Sequence, residues 1–332
     1  MTPIPTRTVD RSSLRLTEVG LGCSQLGNLY RALTDDDATA TVDRAWELGV
    51  RYFDTAPHYG LGLSERRLGV ALANRKRDDY VVSTKVGRLL EPLGPPFGRD
   101  EEGFDVPATH RRVWDFSRDG VMRSLEASLG RLGLDRVDVV FLHDPDDHWS
   151  QALGDGYPAL EELRGQGVVS SIGAGMNQAG MLADFVRHTD MDLLMLAGRY
   201  TLLEQGGLDE LLPLCADRNV GVVAAGVFNS GVLARDTPAG DAKHNYQEAS
   251  GYVVDRARRI AAICGRNGVS LPGAAIVFPL AHPAVVSVCL GARSPEQVER
   301  NVDLYHRPIP ARLWGELESE GLLRHDTPTP TR

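Results

Sequence analysis

Eight short apolar runs recur along almost the whole chain, and amphipathic segments lie between them. The runs are VGLGCS (19–24), VRYFD (50–54), YVVSTK (80–85), VDVVFLH (137–143), VVSSIGAG (168–175), DLLMLAG (192–198), VGVVAAG (220–226) and VVSVCLG (285–291). They are rich in Val and Leu and lack polar alternation, the pattern of parallel strands buried on both faces. DDDATATVDRAWELG, SERRLGVALAN, SRDGVMRSLEASLGRLG, YPALEELRGQG, LDELLPLCADRN, VVDRARRIAAICGRNG and PGAAIVFPLAH read as helices. Thr34 with Asp37 three residues on is a capping-box pattern, and several segments close on Gly. Strands each followed by a helix predict an α/β fold, a closed (β/α)8 TIM barrel, with an open doubly wound sheet as the alternative. The 332 residues are expected to form one domain.

Two segments break the rhythm. Residues 86–116 and 226–250 are long, Gly- and Pro-containing excursions after strands, and in a barrel such loops belong to the face that carries active sites. The tail 325–332, HDTPTPTR, is expected to fray. A net charge of −9 argues against nucleic acid or an anionic membrane as the main partner. Cys23, Cys215, Cys264 and Cys289 are scattered with no CxxC, which reads as buried thiols in a reducing compartment and no metal site. No apolar run approaches the roughly 18 residues of a membrane span. MTPIPTRTVDRSS also lacks a signal-peptide core. A cytoplasmic monomer or weak homo-oligomer acting on a small molecule is expected.

Polar residues at the strand ends carry the chemistry. Asp54 closes the second run, Lys85 the third and His143 the fourth, while Tyr59 follows the second by five residues. In a barrel all four face one place. A charge ending an apolar run must be paired or solvated, because burying it alone is costly. Asp54 and Lys85 satisfy each other as a buried ion pair, which sets a cation beside the Tyr59 hydroxyl. A nearby cation favours phenolate and lowers a pKa that is ordinarily about 10. Tyr59 then exchanges a proton with a substrate oxygen, and His143 orients that oxygen through a hydrogen bond. Taken singly, Asp54 and Lys85 read as a structural ion pair, His143 as a loop histidine and Tyr59 as packing. Their coincidence on neighbouring strand ends points to a site that polarises a C–O bond, with neither nucleophile nor metal, and so needs a hydride carrier.

FDTAPHYGLGLSERRLG, VVSTKVG and VVFLHDP resemble the aldo-keto reductase superfamily over residues 15–305, and the match is specific. The resemblance implies that Asp54, Tyr59, Lys85 and His143 are the family's catalytic tetrad. Within it, the wording looks most like the bacterial aldose 1-dehydrogenase branch, with L-galactose and pyridoxal 4-dehydrogenases as relatives. It implies an NAD(P)-dependent oxidoreductase, NAD or NADP left open, oxidising an aldose of the L-fucose, D-arabinose or L-galactose type at C1 to its lactone. Reduction of small aldehydes or ketones, oxidation of pyridoxal, and a cofactor-sensing regulatory subunit are the alternatives.

No complete GxGxxG is present, since GLGCSQLG, GLGLSERR and GAGMNQAG each fail part-way. Gly20 and Gly22 read instead as allowing tight packing. LGARSPEQVERN after the last run offers Ser294 as a helix cap, Pro295 in the first turn and Arg293 as a planar cation, a setting for phosphate. An ordinary capped surface helix reads the same way. The resemblance assigns adenosine contacts to Gly291, Arg293, Gln297 and Asn301, pyrophosphate contacts to Ser230 and Gly231, and the carboxamide to Asn177. It departs at Met176, Ala197, Ala225 and Arg300, and Phe228 stands in for the Tyr on which many relatives stack nicotinamide. The substrate pocket is expected to draw on His58, Trp114, Trp149 and Tyr200, with Phe97 and His148 on the rim.

Overall fold

The computed structural model describes residues 3–95, 98–240, 243–245 and 247–330. Among them, eight parallel strands close into a barrel. They are β1 (Val19–Gly22), β2 (Tyr52–Asp54), β3 (Val81–Val86), β4 (Val139–His143), β5 (Ser171–Met176), β6 (Leu193–Ala197), β7 (Gly221–Ala225) and β8 (Val285–Gly291). Each pairs with its neighbours in chain order, and β8 returns to β1 through Val288–Val19 to Gly291–Gly22. The open sheet is thereby excluded.

The helices form the outer ring: α1 (Asp35–Glu47), α2 (Leu63–Leu72), α3 (Arg118–Leu132), α4 (Tyr157–Gly165), α5 (Ala179–His188), α6 (Leu211–Arg218), α7 (Gly251–Arg266) and α8 (Pro295–His306). The capping box is formed: Asp37 N donates to Thr34 Oγ1 at 3.0 Å, and Thr34 N to the Asp37 carboxylate at 3.4 Å. Helix α5 has no side-chain cap at Gln178, so its start carries no sequence signal.

Two apolar layers result. A large cluster fills the space between strands and helices. A small inner one joins Tyr52, Val139, Phe141, Leu193, Met195, Val223, Val286 and Cys289 to Val9 and Leu16. The last two come from a hairpin, Thr6–Val9 with Leu14–Thr17, unanticipated from the sequence. The hairpin is tied to strand starts, since Arg7 donates to the Val285 carbonyl at 2.8 Å and Ser171 to Ser12 at 2.6 Å. It therefore plugs the N-terminal end of the barrel and leaves the other end as the mouth. Gly20 packs as expected: a Cβ there would come within 2.4 Å of the Tyr52 ring.

Residues 86–116 are more ordered than their loop composition suggests. Arg88–Pro92 and His110–Trp114 form an antiparallel ribbon. In the tail, Thr327 is buried and its N–H donates to the Arg324 carbonyl at 3.1 Å, so this part is fastened rather than frayed. No single described helix is long and apolar enough to cross a membrane.

Candidate active site

Strand periodicity builds the site. Side chains two apart share a face, so Tyr52 and Asp54 on β2, Ser83 and Lys85 on β3, and Phe141 and His143 on β4 point inward. A continuous polar column rises through them. The Tyr52 hydroxyl lies 3.0 Å from Ser83 Oγ, and Ser83 donates to Asp54 Oδ1 at 2.7 Å. Burial, reinforced by the Asp54 carboxylate, holds the Tyr52 phenol protonated, so Tyr52 is the donor to Ser83. Lys85 Nζ donates to Asp54 Oδ2 at 2.7 Å, to the Thr55 carbonyl at 3.0 Å and to Tyr59 Oη at 3.2 Å. Burial penalises the Lys85 ammonium, but the Asp54 carboxylate and the Tyr59 oxygen raise its pKa above the ordinary value, so it stays charged.

The turn carrying Tyr59 is fixed by backbone contact. Gly60 adopts φ 62°, and a Cβ on it would meet the Gly27 carbonyl oxygen at 2.2 Å. Ser64 in α2 donates to the Cys23 carbonyl at 2.7 Å and lies 2.8 Å from Thr55 Oγ1, locking the same turn. The rest of the SERR motif is structural. Glu65 is fully buried against Arg131 and Thr84, and Arg67 bridges Asp35, Asn28 and the Leu26 and Leu33 carbonyls.

His143 completes the group, its ring 6.0 Å from that of Tyr59 and perpendicular to it. Burial, then the Arg88 and Lys85 charges, hold it well below its usual pKa, so it is a neutral imidazole able to donate a hydrogen bond. Its Nδ1 is buried with no hydrogen-bond partner. His58 is likewise neutral, pushed down to about 2 by burial with Arg88 and Arg112 alongside. Its ring meets His143 at 5.6 Å and Phe104 at 5.1 Å.

The expected pocket residues separate. His58 lines the site, and Trp114 stands at the rim, 40% exposed, with its ring 5.0 Å from His148. Trp149 instead packs on Phe185 and His188 of α5 at 4.7 and 6.3 Å. Tyr200 is 1% exposed, against Phe278 and His282. Both are anchors in the helix layer rather than pocket walls, because a loop aromatic turns inward wherever an apolar cleft is open to it. Phe97 lies outside the described residues. Sequence reasoning missed Phe104, whose ring lies 6.1 Å from Tyr59, and the ion pairs Arg88–Asp144 and Arg112–Asp100.

The positions expected to hold a dinucleotide run along the opposite half of the mouth. Asn177, just past β5, donates to the Ala197 carbonyl at the end of β6 at 2.9 Å. Beyond β7, Phe228 packs on the outer core, and Asn229, Ser230 and Gly231 follow with φ of 46°, 57° and 106°. Two such residues in a row are uncommon outside glycine, and the turn is closed on itself, Asn229 N donating to the Gly226 carbonyl at 2.8 Å and Gly231 N to the Phe228 carbonyl at 3.0 Å. Asn229 Oδ1 is buried without a partner, and a Cβ on Gly231 would meet only open space. Gly291 ends β8 beneath the Gln25 side chain. Ser294 caps α8 by accepting from Gln297 N at 3.4 Å, and Asn301 lies one turn beyond Gln297 on the same face. Among the described residues no carboxylate pairs with Arg293, which donates to the Leu29 carbonyl at 3.4 Å. An orphaned amide oxygen, a left-handed turn, a capped helix start and a guanidinium with no carboxylate beside it fit a phosphate-bearing dinucleotide.

Comparison with known proteins gives the family. The chain matches the aldo/keto reductase family over residues 18–320. It is 48% identical to a D-threo-aldose 1-dehydrogenase of Pseudomonas sp over 96% of this chain and 97% of the relative. It is 40% identical to the pyridoxal 4-dehydrogenase of Microbacterium luteolum, over 96% and 97%. The solved aldo-keto reductase AKR11C1 from Bacillus halodurans, in its holo form, superimposes with a TM-score of 0.74 at 28% identity, covering 95% of this chain and 96% of that one. With the family's pattern running from β1 to the last helices, the chain belongs to the aldo/keto reductase family and is an NAD(P)-dependent oxidoreductase.

Proposed function

We propose that this oxidoreductase oxidises an aldose at C1 to the lactone, with Tyr59 as the acid/base. The observation that carries the reading is the buried Lys85 ammonium, bound at once to Asp54 and to the Tyr59 oxygen. A cation there favours phenolate over phenol, so Tyr59 can take the proton of the C1 hydroxyl. His143, being neutral, donates a hydrogen bond to the same oxygen and orients it. Asp54, braced by Ser83 and through it by Tyr52, keeps Lys85 charged and in place. Asn177, Phe228, Ser230, Gly231, Gly291, Arg293, Gln297 and Asn301 would hold the nicotinamide dinucleotide, which supplies the hydride acceptor. His58 and Trp114 bound the substrate. The relative at 48% identity, named for D-threo-aldoses, supports the sugar.

A second reading, oxidation of pyridoxal by the same residues, draws on the relative at 40% identity and on the aromatic faces of Phe104 and Trp114. Purified protein assayed with NAD or NADP against L-fucose, D-arabinose, L-galactose and pyridoxal separates them by the near-ultraviolet absorbance of reduced cofactor. Turnover of pyridoxal alone overturns the aldose reading. Tyr59→Phe is expected to lower kcat by about 10²- to 10⁴-fold with dinucleotide affinity nearly unchanged. Retained turnover refutes the role given to Tyr59.

A further inference from the structure

Arg88 follows Lys85 by three residues, and nothing in the reaction above uses it. Its side chain is 11% exposed. Its guanidinium lies 4.2 Å over the Trp114 ring, and Nη2 donates to the Asp144 carboxylate. Asp144 comes directly after His143 with φ 43°, a left-handed backbone that few non-glycine residues adopt. Its Oδ2 is 3.6 Å from His143 Nε2. Arg88 is thus clamped between an indole and the neighbour of a tetrad histidine, close enough for its charge to act on His143 and to feel the Tyr59 oxygen. Among the described residues neither its Nη1 nor its Nε has a hydrogen-bond partner, and of the two only Nε is buried. A buried N–H without an acceptor is costly, and a stacked, paired guanidinium cannot swing out to solvent to relieve it.

Charge balance narrows what the N–H is for. Arg88 is matched by Asp144, Lys85 by Asp54 and Arg112 by Asp100, while His58 and His143 are neutral. Arg88 offers a donor but no surplus positive charge. A carboxylate or phosphate on the substrate would need an unmatched cation, whereas a hydroxyl needs only the donor.

We propose that Arg88, held by Asp144 and Trp114, is a specificity-determining residue whose guanidinium edge left over from Asp144 donates to a substrate hydroxyl other than the reacting one, selecting neutral polyhydroxy substrates over deoxy and anionic counterparts. The inference rests on the reading of the site as a carbonyl/alcohol redox centre and deepens it.

The test is a substrate-by-residue cycle on the full-length enzyme with its dinucleotide. An aldose is compared with its monodeoxy analogues and, in the reducing direction, glyceraldehyde with propanal. Arg88→Met keeps an unbranched side chain of similar reach beside Trp114. It is expected to lose about 10- to 100-fold in kcat/KM, mainly through KM, on the hydroxylated member of a pair, with little change on the matching deoxy member. Equal losses on both members of every pair assign Arg88 to structure alone and overturn the proposal, as does a wild type that does not distinguish them. Asp144→Asn leaves the guanidinium charge unmatched and is expected to raise kcat/KM for a carboxylate-bearing aldehyde such as succinic semialdehyde. A folded Asp144→Asn enzyme with unchanged preference against that anion also overturns it. A wild type inert to every aldose refutes the sugar reading, while the glyceraldehyde–propanal pair still decides the role of Arg88.

Discussion

Every proton of the Lys85 ammonium has an acceptor: Asp54, the Thr55 carbonyl and the Tyr59 oxygen. Deleting the amine removes the charge beside the phenol as well as a brace on its turn. Lys85→Met is therefore expected to lower kcat and to move the pH–rate profile for oxidation upward, because phenolate then forms only at higher pH. A folded variant with an unmoved profile contradicts the coupling. At this scale Asp54, Lys85 and His143 were legible because a polar group closing an apolar run must have a purpose. Tyr52 and Ser83 sit two residues earlier on the same faces, so strand periodicity alone contained the lower half of the column. Arg88 after a glycine and Asp144 before a proline look like ordinary surface residues. Only the fold shows the first stacked on Trp114 and the second held left-handed. Residue type also failed for Trp149 and Tyr200, since an aromatic ring in a loop sequence looks the same whether it faces a pocket or the core.

The ribbon Arg88–Pro92/His110–Trp114 and the segment between its strands act as one element over the site. Arg112 ties this element down, meeting Asp100 at 2.5 Å and donating to the His58 carbonyl at 3.1 Å. Phe104 covers Tyr59 and His58 from a small apolar cluster with Leu61 and Val106, separate from both barrel layers. Local clusters open more readily than the main core. Phe104→Ala is accordingly expected to raise KM about tenfold while barely shifting the thermal midpoint. A large loss of Tm with KM intact would tie Phe104 to the global core instead. In sequence the element reads as a loop because its strands carry Pro92, Arg111 and Arg112, a poor match to buried-strand composition. The pairing is antiparallel and half-exposed, where such residues are tolerated. The barrel strands and the caps of α1 and α8 were legible for the opposite reason: continuous burial and local capping chemistry are written in short windows.

Among the described residues, burial lowers the pKa of the more exposed His110 and keeps three well-buried imidazoles neutral: His143 well below its ordinary pKa, His58 at about 2 and His282 at about 4. Each takes up a proton more readily in the unfolded chain, which titrates at about 6.5. Stability is thus fullest above that pH and falls as acid is added, through the window from about 6.5 to about 4 for His282 and further for the others. Denaturation midpoints are expected to drop between about pH 7 and about pH 5, and His282→Asn to flatten the slope. An unchanged slope refutes the assignment. The closed topology was legible from the count of alternating runs. The hairpin plug was not, because Thr6–Thr17 is short, charged and far in sequence from the strand starts it covers. Tyr52 belongs to the inner apolar cluster, roofs Gly20 and is the lowest link of the column that ends at Tyr59. Catalytic competence and the innermost packing are consequently one cooperative unit. As denaturant rises, the tetrad's own geometry and the inner packing are lost together, whatever the cover over the site has already done.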